Sequence, residues 1–284
     1  MKRASDIPRF GKEVVLEAAR LSNPEARFLV ANYYTAQEMR KRTDMQLRHL
    51  GEKDTATQDP PKVLTATGND FARIEDNMKK ALQGYAESTV VGRWCLSHYG
   101  IGPVITAGLL AHLDITKAPT AGHYWSFAGL NPAAVWEKGK KRPWNADLRQ
   151  ICWHLGQCAK RISHDERAFY GQLYQERKAL LVARNEAGQF AERAKTFITR
   201  SAEVKATLAT GKLPAGNLDS QACNFVAKIF LSHLHGVMYW DHHKRQCPPK
   251  PFALAILGHA HEIAIPNTEE FFPGFYEAYY KKAA

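Results

Sequence analysis

Trp94–Leu113, WCLSHYGIGPVITAGLLAHL, decides how the rest of the chain is read. Leu96, Tyr99 and Ile101 lead into a Gly100-Ile101-Gly102 turn. Val104, Ala107, Leu110, Ala111 and Leu113 follow it at helical spacing. Pro103 stands at the first helical position, where its missing N–H costs nothing. Gly100 and Gly102 permit positive φ and close approach of another backbone. The pattern predicts a helix-hairpin-helix, whose turn exposes backbone amides at a helix N-terminus and so suits an anion. A plain helical hairpin with a glycine turn satisfies the same pattern.

The surrounding composition favours the anion. The chain has 284 residues, 45% of them hydrophobic, and a formal net charge of +11. That length supports one large or two modest domains. The charge points to nucleic acid or another polyanion, with colloidal solubility as the plainer alternative. No apolar run is long enough to cross a membrane, and MKRASDIPRFGKEVVLEAAR has no apolar core of a signal peptide. Cys95, Cys152, Cys158, Cys223 and Cys247 are odd in number and form no Cys-x-x-Cys pair. Reduced thiols and a cytoplasmic location fit that pattern.

The fold class expected is mainly α, with long helices flanking the hairpin. Residues 1–87 read as a helical N-terminal region, broken at Ser22-Asn23-Pro24. A loop is expected over 51–62, and Thr67-Gly68-Asn69-Asp70 offers caps for a helix from about Phe71 to Tyr85, with Ser88 capping the next. Pro119-Thr120-Ala121 starts a short helix through Tyr124, Trp125 and Phe127, ending at Gly129. Asn145 caps a helix through Leu148, Ile151 and Leu155. Ser163-His164-Asp165-Glu166 precedes a long helix that Asn185–Gly188 breaks. The Phe190–Leu208 pattern then resumes, and the two helices are expected to form an antiparallel arm, an insertion at about 185–217. Leu218–Trp240 is a strong apolar helix, and 244–284 is a Pro-, His- and aromatic-rich tail packed on the body.

Two clusters carry chemistry. Between Trp136 and Trp144 lies Glu137-Lys138-Gly139-Lys140-Lys141-Arg142-Pro143; cations flanked by aromatics suit a phosphate backbone with stacked bases, though a solvated loop has the same composition. Gly100, Ile101, Gly102, Pro103, Lys138, Lys140, Lys141, Arg142, Asn145 and Arg149 are therefore the nucleic-acid-binding candidates. Histidines gather in the C-terminal third. His233 and His235 diverge by about 200° on one helix, so they cannot share a metal. A composite divalent-metal site from His235, Asp241, His243, His259 and His261 matches no standard ligand spacing, and no cofactor is expected. Asp241-His242-His243 resembles a phosphoesterase triplet but lacks its companion acidic blocks. There is no Walker-type phosphate loop and no Gly-x-Ser-x-Gly elbow.

The order of blocks resembles the C-terminal region of transposases of the IS110/IS116/IS902 class. The matching residues are Tyr99-Gly100-Ile101-Gly102-Pro103, then Trp125-Ser126-Phe127-Ala128-Gly129-Leu130-Asn131-Pro132. Gly139-Lys140, Asn145, Leu148-Arg149, Phe169-Tyr170, Arg177-Lys178 and Ala227-Lys228-Ile229-Phe230 follow. The resemblance spans roughly residues 88–243, which it makes the transposase-like domain. It implies DNA binding and recombination, in partnership with DNA or structured RNA, within a mobile element or phage, and allows a homo-oligomer. The family also carries an N-terminal RNase-H-like domain, for which residues 1–87 show no alternating strands. Ala133-Ala134-Val135-Trp136 stands where the family has its nucleophilic serine. The resemblance therefore implies a chain that keeps the grip without its own cleavage site. A divergent recombinase or nuclease would need acids from another chain or from Asp147, Asp165, Glu166 and Asp241. A partner-binding structural protein is the remaining alternative.

Overall fold

The computed structural model describes residues 10–53, 61–250 and 262–281, and among them it is helical with no strand. The helices are α1 (Lys12–Glu17), α2 (Asn23–Lys53), α3 (Lys62–Glu87), α4 (Val90–Leu96), α5 (Pro103–His112), α6 (Ala121–Phe127) and α7 (Ala146–Arg161). They continue with α8 (Phe169–Glu186), α9 (Ala191–Lys195), α10 (Ala202–Ala209), α11 (Ala215–His242) and α12 (Thr268–Phe271). No helix among the described residues is long and apolar enough to cross a membrane. The chain forms two compact units: Met1–Leu96 with Gly102–Leu113, and Ser97–Ile101 with Asp114–Ala284. The boundary read near residue 87 is not an edge of either, because α4 and α5 pack with α3.

In the first unit, α2 and α3 run antiparallel. Tyr85 Oη donates to Asn23 Oδ1 at 2.9 Å near one end. Midway, Tyr33, Gln37 and Arg40 of α2 converge on the Glu75 carboxylate, with Arg40 Nε at 2.5 Å. Toward the other end, Gly68 faces Thr43 and Leu47. This explains why α3 starts at Lys62 rather than near Phe71. Gly68 is buried against α2, so packing carries the helix straight through the Thr67–Asp70 capping residues. Ser88 closes α3 by donating to the Tyr85 carbonyl, and Thr89 Oγ1 takes the Gly92 N–H at the start of α4. Val104 to Ala111 of α5 are all buried, as an all-round apolar helix must be, and α5 packs on both α2 and α3.

The second unit is built on α11, which packs against α6, α7 and α8. Asp219 near its start accepts from Lys160 of α7 at 2.6 Å, from Tyr174 of α8 at 2.8 Å and from Lys178 of α8. Burial raises the Asp219 pKa, but these three donors outweigh it and hold the pKa down at about 2. The break after α8 is fixed by Asn185. It is buried, and its side-chain amide accepts the Leu213 N–H and donates to the Leu213 carbonyl, at 2.9 and 3.1 Å.

The second helix of the expected arm is not continuous. Residues 196–201 separate α9 from α10: Thr196, Ile198 and Thr199 are β-branched, Ile198 is 95% exposed, and Ser201 caps a new start at Ala202 by accepting the Val204 N–H. Among the described residues α2 and α3 form a long antiparallel pair in the first unit. The expected pattern over Phe252–Ile265 lies largely outside the described residues.

His98 is buried edge-on against Tyr170 and Phe230, and burial lowers its pKa to about 4. His233 is lowered in the same way to about 3. A histidine depressed in the folded state binds fewer protons there than in the unfolded chain. Its contribution is complete above pH 6.5 and is lost as pH falls toward the folded value. From pH 7 to 5, His98 alone should remove about 2 kcal/mol. His98→Phe, which keeps the ring contacts and removes the titration, should flatten the loss of Tm over that interval in a pH series of thermal melts.

Candidate nucleic-acid interface

The predicted hairpin exists as α4, a turn and α5, and the boundary between the units passes through the turn, so each half is described within its own unit. In the first, Gly102 is the N-cap of α5 at φ −93°, an ordinary extended conformation. A Cβ added there would meet nothing within 4 Å, and Pro103 opens the helix as expected. In the second, Gly100 has φ +89°, and a Cβ on it would lie 2.0 Å from Ile162 Cδ1. Only one of the two glycines uses left-handed backbone. Gly100 is exposed; Ile101 is buried and donates its N–H to the His98 carbonyl at 2.9 Å. Beside them Tyr99 is held by Arg167, whose guanidinium lies 4.2 Å from the ring centroid.

The basic loop has a built foot. Gly129 ends α6 at φ +67°, and the Trp144 ring lies where a Cβ would sit, 2.7 Å from it. Asn145 N–H donates to the Phe127 carbonyl at 2.9 Å, and its side chain accepts the Leu148 N–H at 2.8 Å to cap α7. Arg149 reaches back to the Gly129 carbonyl at 2.6 Å. Trp144, Asn145 and Arg149 thus staple residue 145 to the end of α6. Asn145 and Arg149 were nucleic-acid-binding candidates from the sequence; their polar groups make bonds within the chain that position the loop.

Beyond the staple the cations are free of carboxylates, with one exception. Lys138, Lys140, Lys141 and Arg142 are exposed. Lys140 pairs with Glu137 at 2.8 Å, a solvent-exposed pair of the kind that contributes little. No ion pair to Lys138, Lys141 or Arg142 occurs among the described residues. Gly139 takes φ +91° at the tip with open space around it. The Trp136 indole N–H donates to the Lys140 carbonyl at 2.7 Å, and the Arg142 guanidinium lies 5.2 Å from its ring centroid. Trp136 therefore closes the loop on itself and carries a cation on its ring, while Trp144 belongs to the foot.

The acids and histidines named from sequence are dispersed. Asp147 is an exposed first-turn residue of α7, and Asp165 is paired with Arg167 at 2.6 Å. The hydrogen bonds and charge of Arg167 hold the Asp165 carboxyl well below the usual range. Glu166 and Asp241 are exposed. His235 is buried with Nε2 2.8 Å from the Ala118 carbonyl, and His243 stacks at 4.1 Å on Tyr239. His259 and His261 lie outside the described residues. Among the described residues no three of His, Cys, Asp and Glu gather as a metal site.

Sequence reasoning missed a second group of cations. Arg177 of α8 and Lys228 of α11 line a cavity of about 420 Å³ with Trp125 and Phe225. The available signal was Lys228 itself, a lone cation inside the apolar run from Cys223 to Leu231.

Comparison with family models, curated proteins and solved structures gives no match to this chain.

The turn and the foot make separable predictions. Gly100→Ala should destabilise the protein by at least ~1 kcal/mol, from positive φ together with the Ile162 overlap. Gly102→Ala should leave the denaturation midpoint within ~0.5 kcal/mol of the parent, because the space is open. Asn145→Ala should cost about 1 kcal/mol through the lost cap.

Proposed function

We propose that the chain is a nucleic-acid-binding protein that grips the phosphates of DNA or structured RNA without reading sequence. The observation that carries this is the stapled loop. It presents four cations in five residues, Lys138 to Arg142, with a single exposed carboxylate partner, on a foot fixed to α6 and α7. Uncompensated cations on a fixed loop are what a polyanionic strand recruits by releasing its counterions. Trp136 adds an aromatic surface at the same place, half the requirement for a stacked base. Within the first unit, the open N-cap at Gly102 and the N-terminus of α5 are an anion contact of their own in this reading.

A relationship to transposases of the IS110/IS116/IS902 class, in a mobile element or phage, belongs to the same proposal and rests on the order of the sequence blocks. In that relationship this chain is the gripping part. Ala133 to Trp136 carry no hydroxyl where the family's serine stands, so strand cleavage would need acids from another chain or from residues scattered in this one.

The test is the salt dependence of binding to duplex DNA and to a structured RNA. Lys138→Ala, Lys141→Ala and Arg142→Ala combined should reduce the slope of log affinity against log salt by about 2 to 3, at unchanged Tm. Gly102→Val should weaken affinity by severalfold without unfolding. An unchanged slope in the triple variant would remove the loop from the interface.

A further inference from the structure

The cavity of the second unit supports an inference independent of the nucleic-acid reading. It holds about 420 Å³, within the range of small-molecule sites. Its lining includes Trp125 of α6, Arg177 of α8, Phe225, Lys228 and Ile229 of α11, and Pro248 and Tyr279 from the C-terminal tail.

The polar groups around it divide into two sets. Most are already satisfied within the chain. Ser232 Oγ donates to the Lys228 carbonyl at 3.0 Å, His235 bonds the Ala118 carbonyl, and His233 bonds Tyr170 and the Ile263 carbonyl. Glu262 pairs with Lys250 at 2.6 Å, and Tyr280 accepts the Ile265 N–H at 3.0 Å. The other set is Arg177 and Lys228. Neither is in an ion pair among the described residues. The Arg177 Nε is buried without a hydrogen-bond partner, and its guanidinium lies 4.9 Å from the Phe225 ring centroid. The Lys228 ammonium is 5.6 Å from the Trp125 ring centroid, and the Trp125 indole N–H is tied to the Lys228 carbonyl at 3.0 Å.

The electrostatic environment agrees. Burial lowers the Lys228 pKa first, and Arg149 and Arg177 lower it further. Burial and then Arg184 lower that of Arg177. The charges these groups feel are positive, an unfavourable arrangement that a bound anion would relieve.

We propose that this cavity binds an amphipathic organic anion, with a carboxylate or phosphate head on Arg177 and Lys228 and an apolar body along Phe225, Ile229 and Pro248. The satisfied state of the other polar groups decides the class. Among the described residues almost nothing is left to read hydroxyls or the edge of a base, so a sugar or nucleoside body gains little over an acyl or aryl one.

Isothermal titration of the full chain with octanoate and with 1-naphthoate tests this, with octan-1-ol as the body alone and acetate and inorganic phosphate as the head alone. The expected result is saturable 1:1 binding of at least one of the two carboxylates, about tenfold or more tighter than octanol and far tighter than the heads. Arg177→Met and Lys228→Met should each weaken it about tenfold or more while Tm holds or rises, since a desolvated like-charge pair is removed. Lys228→Arg should retain binding, and the triple loop variant should bind as the parent does. Absence of saturable binding, or octanol binding as tightly as octanoate, would overturn the proposal. So would a fall in Tm or unfolding of both Met variants, which would make the cations structural.

Discussion

The staple at the foot of the basic loop is the constraint on which the functional reading depends. Three side chains act on one short stretch: Trp144 fills the space a Cβ would take at Gly129, Asn145 caps α7, and Arg149 holds the Gly129 carbonyl. Each bond fixes the start of α7 against the end of α6. Without them, residues 130–144 would be a flexible polar excursion whose cations would lose conformational entropy on every contact. With them, Lys138 to Arg142 stand on a fixed base, and Trp136 and Gly139 shape the tip.

That base is anchored in turn to the helical body. α7 is bound to α11 through Lys160 and Asp219, and the same carboxylate takes Tyr174 and Lys178 from α8. A carboxylate shared by three donors is worth more than an exposed pair, because its partners are partly buried and mutually oriented. The loop is thus connected by hydrogen bonds and packing to the helix that organises its unit. The cavity beside Arg177 and Lys228 is lined by α8 and α11, two of the helices that meet at Asp219.

Much of this architecture was legible in the sequence, and the failures have physical causes. The α4-turn-α5 hairpin, the Thr120 start of α6, the Asn145 cap and the α8 stop near Asn185 all follow from residues whose local chemistry and tertiary role agree. The start of α3 was misplaced because Thr67–Asp70 has local capping chemistry that packing of Gly68 on α2 overrides. The single helix expected over 190–208 divides where β-branched residues meet a new Ser201 cap. In the candidate interface, charge and aromatic content were visible, but the division of labour was not. Nothing in the sequence separates Trp136, which closes the loop, from Trp144, which fills its foot. Asn145 and Arg149 are phosphate candidates in the sequence, and spacing alone does not reveal their backbone partners, 18 and 20 residues earlier in the chain at Phe127 and Gly129.

The most direct measurement is hydrogen–deuterium exchange of the full chain with and without duplex DNA or a structured RNA at low salt. The account predicts that bound nucleic acid slows exchange at residues 136–142 while the capped start of α7, already protected, changes little. Complex formation that leaves the 136–142 amides exchanging as fast as in the free protein would contradict it.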